Sequence, residues 1–230
     1  MKNINQEELN KILKEHELWL IDEEGGKRAD LSNTDLSYAN LKSTDLTYAN
    51  LSNTNLEYAD LTYADLTYVD LTYANLIHAD LTYADLIHAD LSYSNLKDAN
   101  LSNANLSSTN LKDIKTNIHT VGYSLACPET GSFIGYKKAK GCLIELLILE
   151  DSKRSSATSA KCRCDKAKVL NIENIGTGKK VNKVNSNYDS NFIYRVGEIA
   201  SVSNFDNNRW NECTTGIHFF LNKEDAINYR

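Results

Sequence analysis

A leucine recurs at every fifth position through the middle of the chain. The series runs from Leu31 to Leu111 and contains seventeen copies without a gap. The residue directly before each leucine is Asp or Asn, and the residue two before it is small or β-branched, most often Ala. A period of five matches neither the 3.6-residue period of an α-helix nor the two-residue period of a flat strand. It predicts a chain that turns a corner every five residues.

Four such corners make a square coil of twenty residues. Stacked coils of this kind bury a continuous column, into which the leucine and the small residue two before it both point. Glycine and proline, the usual turn residues, are absent from Lys27 to Val121. The Asp and Asn side chains can support the corners instead, because they hydrogen-bond to nearby backbone.

The unit Ala-[Asp/Asn]-Leu-polar-x resembles the pentapeptide-repeat family over residues 29–113. The resemblance implies a right-handed quadrilateral β-helix, and the expected fold class is therefore mainly β. Residues before the repeat resemble the short helical lead-in of such proteins. Apolar positions and His16 form one stripe at helical spacing over Glu7–Leu20, which predicts a helix that caps the first coil.

From about residue 118 the fivefold leucine pattern has stopped, glycine returns, and all five phenylalanines and all five cysteines lie beyond this point. We therefore expect three segments: an N-terminal helical cap at 1–28, the β-helix at 29–113 and an α+β domain at 114–230. Strand-like runs in the last segment are 142–149, 161–172, 192–202 and 216–221, followed by a short helix at 222–229. Residues 174–191 are rich in Asn, Ser, Gly and Lys and are predicted to be a mobile loop.

Four pieces of the last segment resemble an uncharacterised domain that is often attached to pentapeptide repeats in phage and bacterial proteins. They are 131–137, 161–164, 194–198 and 213–220. This resemblance implies no known activity.

Charge is distributed unevenly along the chain. Residues 1–28 carry a net charge of −2, residues 29–113 carry −9 and residues 114–230 carry +5. Within the repeat, one face has Asp before the leucine in three successive coils and an aromatic residue or histidine two positions after it. We call this the Asp/Tyr face. Its six residues are Asp45, Tyr48, Asp65, Tyr68, Asp85 and His88.

We interpret the Asp/Tyr face as a binding surface for a protein partner with a basic surface, since exposed tyrosine is enriched at interfaces. Two other interpretations stay open. The aspartates can be turn formers with free tips, and the tyrosines can form an external ladder that only stiffens the solenoid. Some pentapeptide-repeat proteins mimic DNA and bind type II topoisomerases, but here the acidic series gives way to Asn at the final repeats.

The last segment offers a rival function as a ligand-binding or catalytic domain, with the solenoid as an oligomerisation handle. Four residues are candidates for holding a nucleotide or other phosphate ligand: Arg163, Arg195, Arg209 and His218. The run 216–220, followed by Ala226 and Tyr229, also resembles the glycine-strand-then-Tyr pattern of ADP-ribosyltransferases, which would make the domain an NAD-using enzyme. A pocket lined by Arg163, Arg195 or His218 would favour this rival.

Cys162, Cys164, Cys213 and His218 are the candidate ligands for a zinc site, but the C-x-C spacing differs from the usual C-x₂-C. His78 and His88 are two faces apart and cannot share a metal. We therefore expect no catalytic residue, no metal and no cofactor. The odd cysteine count and the lack of an apolar N-terminal stretch favour a cytoplasmic protein. A membrane is not an expected partner, nucleic acid is disfavoured, and an oligomer is compatible with the sequence.

Overall fold

The computed structural model describes residues 1–229 and divides the chain into two compact units, Met1–Ser124 and Leu125–Arg230. The first unit contains the leucine repeat and the segment before it. The second contains most of the glycine- and cysteine-bearing segment. Each unit has its own buried core.

The first unit is a solenoid whose coils contain twenty residues. Parallel bridges join residues twenty apart, as between Asp45, Asp65 and Asp85. The backbone N–H of Leu46 donates to the Asp65 carbonyl at 2.8 Å, one coil further along the chain. Leu46 and Leu66 are both fully buried. The square coil predicted from the fivefold pattern is therefore confirmed, while its right-handedness stays a prediction.

The solenoid core is a column of leucines packed with small side chains. Every repeat leucine from Leu31 to Leu106 is almost completely buried. Thr in place of Ala can find an acceptor inside the column, as the Thr54 hydroxyl does by donating to the Leu31 carbonyl at 2.8 Å. A buried hydroxyl is tolerated there because it is hydrogen-bonded.

The corners of the solenoid are tight turns with an unusual backbone conformation. At most corners the backbone N–H three residues after the leucine donates to that leucine's carbonyl, as Ala64 does to Leu61 at 3.1 Å. The residue two after each leucine has a positive φ in all seventeen repeats, between 53° and 65°. The Asp or Asn side chain accepts from the N–H two residues on, as Asp65 does from Thr67 at 3.0 Å. The corners therefore use side-chain support in place of glycine, as the sequence indicates.

An N-terminal segment packs against the first coils. Strand β1 (Lys2–Asn3) pairs in parallel with β2 (Thr34–Asp35), and α1 (Gln6–Leu20) lies between them in sequence. The α1 helix begins after Asn5, whose side chain accepts from the Glu8 N–H at 2.8 Å. The helix starts one residue before the predicted start.

His16 holds α1 onto the repeat, and Gly26 lets the chain return closely past the helix. His16 is fully buried, and its Nδ1 accepts from the Ala29 N–H at 3.1 Å. A Cβ on Gly26 would lie only 2.4 Å from the Trp19 backbone N. The chain can return from the helix to the first coil only because residue 26 has no side chain.

The solenoid ladder continues past residue 113, where the leucine pattern ends. Lys115 bridges Asn95, and Val121 bridges Asn100. The Thr120 hydroxyl donates to the Leu96 carbonyl at 2.9 Å. The ladder needs backbone groups but not leucine, so the compact unit extends to Ser124, beyond the end of the leucine pattern.

The second unit is built mainly from antiparallel strands. Its elements are β3 (Phe133–Ala139), β4 (Cys142–Ile148), β5 (Arg154–Ser156), β6 (Cys162–Cys164), β7 (Lys166–Asn174), β8 (Lys183–Asn185), β9 (Ile193–Arg195), β10 (Ile199–Ser201), β11 (Ile217–Phe219) and α2 (Lys223–Asn228). A four-stranded sheet has the order β10-β7-β4-β3, a three-stranded sheet has the order β11-β6-β5, and β8 pairs with β9.

The strands differ from the predicted runs in five places. The run 161–172 divides into β6 and β7 at Asp165, and the run 192–202 divides into β9 and β10 at a turn in which Gly197 has a φ of 88°. Strands β3 and β5 are absent from the predicted runs. The segment 174–191 is not wholly a loop, because β8 lies within it.

The core of this unit gathers apolar residues from most of its strands. Ile144, Leu146, Val169, Ile172 and Phe219 are fully buried within it. Gly135 on β3 faces the Phe219 ring, which a Cβ would approach to 2.6 Å. The glycine thus lets β3 approach the core closely enough to pack on β11.

Candidate functional site

The Asp/Tyr face is the first candidate site, and the structure brings its residues together. Tyr48 and Tyr68 stack at a centroid distance of 4.9 Å, and Tyr68 stacks on His88 at 4.7 Å. Tyr48 and Tyr68 are each 46% exposed, so part of each residue stays available to a partner. These distances lie within the range for favourable aromatic stacking.

Trp19 of α1 extends this stack by one ring. Its side chain contacts Tyr48 edge to face at 6.4 Å and stacks on His16 at 5.5 Å. Trp19 is 37% exposed. The sequence pattern assigns Trp19 only to the capping helix, because helical spacing cannot show which solenoid face the helix meets.

The three aspartates of the face occupy equivalent positions on successive coils. One carboxylate oxygen of each accepts a backbone N–H two residues on, at 3.0 to 3.1 Å. At two positions elsewhere on the solenoid an amide joins neighbouring coils: Asn55 donates to Asp35 at 2.9 Å, and Asn110 donates to Asp90 at 3.0 Å. Asp60–Asp80 and Asp70–Asp90 are stacked aspartate pairs as well. The Asp/Tyr face has Asp in all three central coils and lacks such an amide among them. Its three negative charges therefore lie on successive coils with no amide between them.

The other outward-facing aromatics form separate stacks. Tyr38, Tyr58 and His78 stack on one another at 5.0 and 4.6 Å. Tyr63 stacks on Tyr83 at 5.0 Å. His78 and His88 lie in different stacks, and the described residues contain no His, Cys, Asp or Glu cluster suited to a metal ion.

The second candidate site is a cavity of about 750 Å³ in the unit 125–230. It is lined by residues of β3 and β11, the segment 186–192 and α2. The residues that give it its chemical character are Lys137, Lys161, Tyr194, His218, Phe220 and Tyr229. Of the four predicted ligand-binding residues, His218 alone lines it.

His218 is held as a neutral imidazole. Burial, and after it the charge of nearby Lys137, lower the pKa of this ring to about 4. Its Nε2 lies 3.1 Å from the Glu212 carbonyl, which can only accept. Nε2 therefore carries the proton and donates it to this carbonyl, and Nδ1 is left as an acceptor.

The two lysines of the cavity have different surroundings. Burial lowers the pKa of Lys137 to about 8, and its Nζ donates to the His218 carbonyl at 3.2 Å. Burial also opposes the charge of Lys161, but the Glu212 carboxylate at 3.5 Å and the Tyr229 hydroxyl raise the pKa of that ammonium overall. Lys161 thus has a counter-ion, whereas no carboxylate in the described part of the chain lies within ion-pair distance of Lys137.

The structure places the three predicted ligand-binding arginines away from the cavity lining. The buried Arg163 guanidinium donates to the carbonyls of Asp206, Asn208 and Thr215 at 2.8 to 3.1 Å. Arg209 donates to the Ser156 carbonyl at 3.1 Å and stacks on Trp210, and Arg195 lies 3.9 Å from the Glu198 carboxylate. Arg163 and Arg209 thus bind backbone carbonyls that fix loops of this unit.

The candidate zinc cysteines do not form a metal site. Burial raises the pKa of the Cys164 thiol, whose Sγ contacts the Ile217 carbonyl at 3.8 Å. Contact with Cys127 and burial likewise raise the pKa of Cys162. Cys213 is exposed, and all five cysteines are free thiols.

Lys137 is the cavity residue that the sequence alone does not single out. It lies in the piece 131–137 quoted for a resemblance without a role, and β3 is absent from the predicted strands. Only the pairing of β3 beside β11 brings it to His218.

Two protein-family models match the chain. The model of pentapeptide repeats matches with eight copies at residues 27–62, 59–98 and 79–115. Residues 27–115 belong to the pentapeptide-repeat family. Residues 123–226 match a second model, described as a family of unknown function, DUF5758. A search of curated proteins found no match.

Solved pentapeptide-repeat proteins are similar to part of the chain. Rfr23 from the cyanobacterium Cyanothece 51142 is 40% identical over 39% of this chain, with a TM-score of 0.39. HetL from Nostoc sp. strain PCC 7120, a protein involved in heterocyst differentiation regulation, is 36% identical over 38% of this chain, with a TM-score of 0.37. The chain spans 61% and 43% of the lengths of these two proteins.

A third solved pentapeptide-repeat protein, alr5209 from Nostoc PCC 7120, is 32% identical over 46% of this chain. The match covers 80% of the length of alr5209, with a TM-score of 0.27. Within residues 1–229, no helix has both the length and the apolar character that crossing a membrane requires.

Proposed function

We propose that the protein is a non-enzymatic scaffold whose Asp/Tyr face binds a protein partner with a basic surface. The observation that carries this proposal is the joint placement of three neighbouring aspartates, which have no ion-pair partner among residues 1–229, and a Trp19–Tyr48–Tyr68–His88 stack on one side of the solenoid. Aromatic rings supply contact area at low entropic cost, and the carboxylates attract a basic partner and fix its orientation.

Two further points belong to the same proposal. The five free thiols suit a reducing compartment, and we place the protein in the cytoplasm. The partner interaction would make it an inhibitor or adaptor in a phage or bacterial setting. Mimicry of DNA toward a type II topoisomerase is the alternative outcome.

A charge-matched capture experiment tests the face. Three proteins are immobilised separately: the wild-type full chain, the variant D45N/D65N/D85N and the control D30N/D70N/D90N. The proteins that bind to each are quantified by mass spectrometry. Both triple variants remove three negative charges, but only the first changes the Asp/Tyr face.

We expect a basic partner to bind the wild type and the control and to lose at least tenfold in affinity for D45N/D65N/D85N. If the captured protein is a type II topoisomerase that binds the wild type and the control but not D45N/D65N/D85N, the protein acts as a DNA mimic. Equal capture by all three proteins would exclude this face.

A further inference from the structure

The cavity of residues 125–230 is large enough for a small organic molecule. Its volume of about 750 Å³ lies within the range of small-molecule binding sites, roughly 300–1,000 Å³. Its lining combines aromatic rings with a few converging polar groups, as binding sites for small ligands do.

Positive charge in this cavity is not balanced by the protein. Lys137, Lys138 and Lys161 line it together with one aspartate, Asp189. The Glu212 carboxylate forms an ion pair with Lys161 at 3.5 Å and accepts a hydrogen bond from the Ser159 hydroxyl. Among the described residues, the Lys137 ammonium has only the His218 carbonyl as a hydrogen-bond acceptor, at 3.2 Å. A half-buried cation without a counter-ion is costly, and an anionic ligand would remove that cost.

The groups around Lys137 also limit what can bind beside it. Lys161 is a second cation that acts on Lys137, and both lysines disfavour a charge on His218. The neutral imidazole leaves Nδ1 as an acceptor for a ligand hydroxyl or N–H. A cationic ligand would meet two ammonium groups and is therefore excluded.

Aromatic side chains supply the second recognition element. Phe192 and Tyr194 pack edge to face at 5.1 Å, and Phe220 and Tyr229 pack at 5.2 Å. All four residues line the cavity, and Lys137 Nζ lies 5.9 Å from the Tyr194 ring centroid. A planar ring held near Tyr194 can therefore carry an anionic group that reaches Lys137.

We infer that this cavity binds a small organic anion that carries a planar ring, with its anionic group on Lys137 and its ring against the aromatic lining. Nucleoside monophosphates and aromatic carboxylates share this chemistry. The inference concerns the unit 125–230 alone and stands apart from the Asp/Tyr face of the solenoid.

Isothermal titration calorimetry on the full chain tests the inference with four probes. AMP and indole-3-acetate carry both a ring and an anionic group, adenosine lacks the charge, and inorganic phosphate lacks the ring. We expect AMP or indole-3-acetate to bind at least tenfold more tightly than adenosine and phosphate. Which of the two binds separates a nucleotide site from a carboxylate site.

Matched lysine variants locate the anion. Lys137→Met removes the cavity ammonium, whereas Lys168→Met removes an exposed ammonium on β7 outside the lining. We expect K137M to lose at least tenfold in affinity for the ring-bearing anion and K168M to stay within twofold. Thermal melts check that both variants fold.

A second measurement does not depend on any substitution. The NMR signals of the His218 ring should shift on saturation with the ring-bearing anion and stay in place with adenosine. Absence of saturable binding by both ring-bearing anions, equal affinity of wild type and K137M, or an unchanged His218 spectrum at saturation would each overturn the inference.

Discussion

At the residue scale, the corner positions of the solenoid combine strain with stacking. Tyrosine occupies eight of the seventeen corners although each corner has a positive φ. A non-glycine residue in this region costs about 1–2 kcal/mol, and Asn tolerates it better than other residues. The stacked rings offset part of that cost, at about 0.5–1.5 kcal/mol per pair.

Glycine substitutions at three corners separate these two contributions. Ser43→Gly relieves the strain of the positive φ and removes no aromatic ring. We expect it to stabilise the first unit by about 0.5 kcal/mol, since the greater backbone entropy of glycine in the unfolded chain cancels part of the gain. Tyr83→Gly also removes the stack on Tyr63 and should destabilise by about 1 kcal/mol. Urea unfolding measures both, with Asn53→Gly as the near-neutral control. Equal stabilisation by Ser43→Gly and Tyr83→Gly would mean that the stack contributes nothing.

The buried hydrogen bond of His16 predicts that the attachment of α1 depends on pH. Burial lowers the pKa of this histidine despite the nearby Asp45 carboxylate, and its Nδ1 must stay unprotonated to accept from Ala29. A folded-state pKa below the unfolded value of about 6.5 gives stability that is complete above pH 6.5 and lost as the pH falls below it. We expect Trp19 fluorescence, in a Trp210→Phe background, to report release of α1 on acidification.

The variant His16→Asn provides the control for this titration. Its side-chain oxygen can accept from Ala29 but does not titrate in this range. We expect the acid transition of Trp19 to disappear in this variant while the other histidines remain. An unchanged transition would assign the pH dependence to another group.

At the element scale, the aspartate series on the Asp/Tyr face is a cost that the fold does not require. The corner needs only a side-chain oxygen, and Asn supplies it at the final repeats, as Asn105 does for Ser107 at 3.2 Å. Like charges on neighbouring strand positions are destabilising. Three such charges beside the aromatic stack of this face favour a role in binding.

The variant Asp65→Asn measures that cost. We expect this substitution to stabilise the first unit by about 0.5 kcal/mol. It removes the middle one of three like charges and adds an amide that can bridge the coils. The gain should shrink in 1 M salt, which screens the repulsion. Asp35→Asn is the control, because Asp35 already accepts from Asn55 and should gain nothing. No gain for Asp65→Asn at low salt would contradict the view that the aspartates repel one another.

The elements also show what the sequence can and cannot predict. The leucine period determines the coil, the core and the stacking partners, because residues twenty apart must be neighbours once four corners close a turn. The leucine period predicts nothing about the second unit, whose sheets join segments that are distant in the sequence. Strand β3 alternates poorly in polarity, and the position of Lys137 depends on pairing between residues about eighty positions apart, as with Tyr136 and Phe220.

At the scale of the whole molecule, two separate cores predict two separable unfolding events. Leu66 is fully buried in the solenoid column, and Phe219 is fully buried in the second unit. Leu66→Ala should destabilise the first unit by about 3–5 kcal/mol, the cost of a cavity that the column cannot close.

Differential scanning calorimetry checks this prediction. Leu66→Ala is expected to lower one transition and leave the other in place. The matched variant Ile172→Ala, in the core of the second unit, should lower the other transition. A common shift of a single transition by both variants would show that the two units unfold together.

The twenty-residue coil also restricts how the repeat can change in length. Inserting one five-residue unit after Tyr68 would rotate everything downstream by a quarter turn, so that Asp85 and His88 would leave the side on which Asp65 and Tyr68 lie. Only gains or losses of four units keep the sides in register. Between the coils of this face, a lineage that uses the surface can therefore gain units only in multiples of four, because a gain of one, two or three units there would erase the surface while leaving the fold intact.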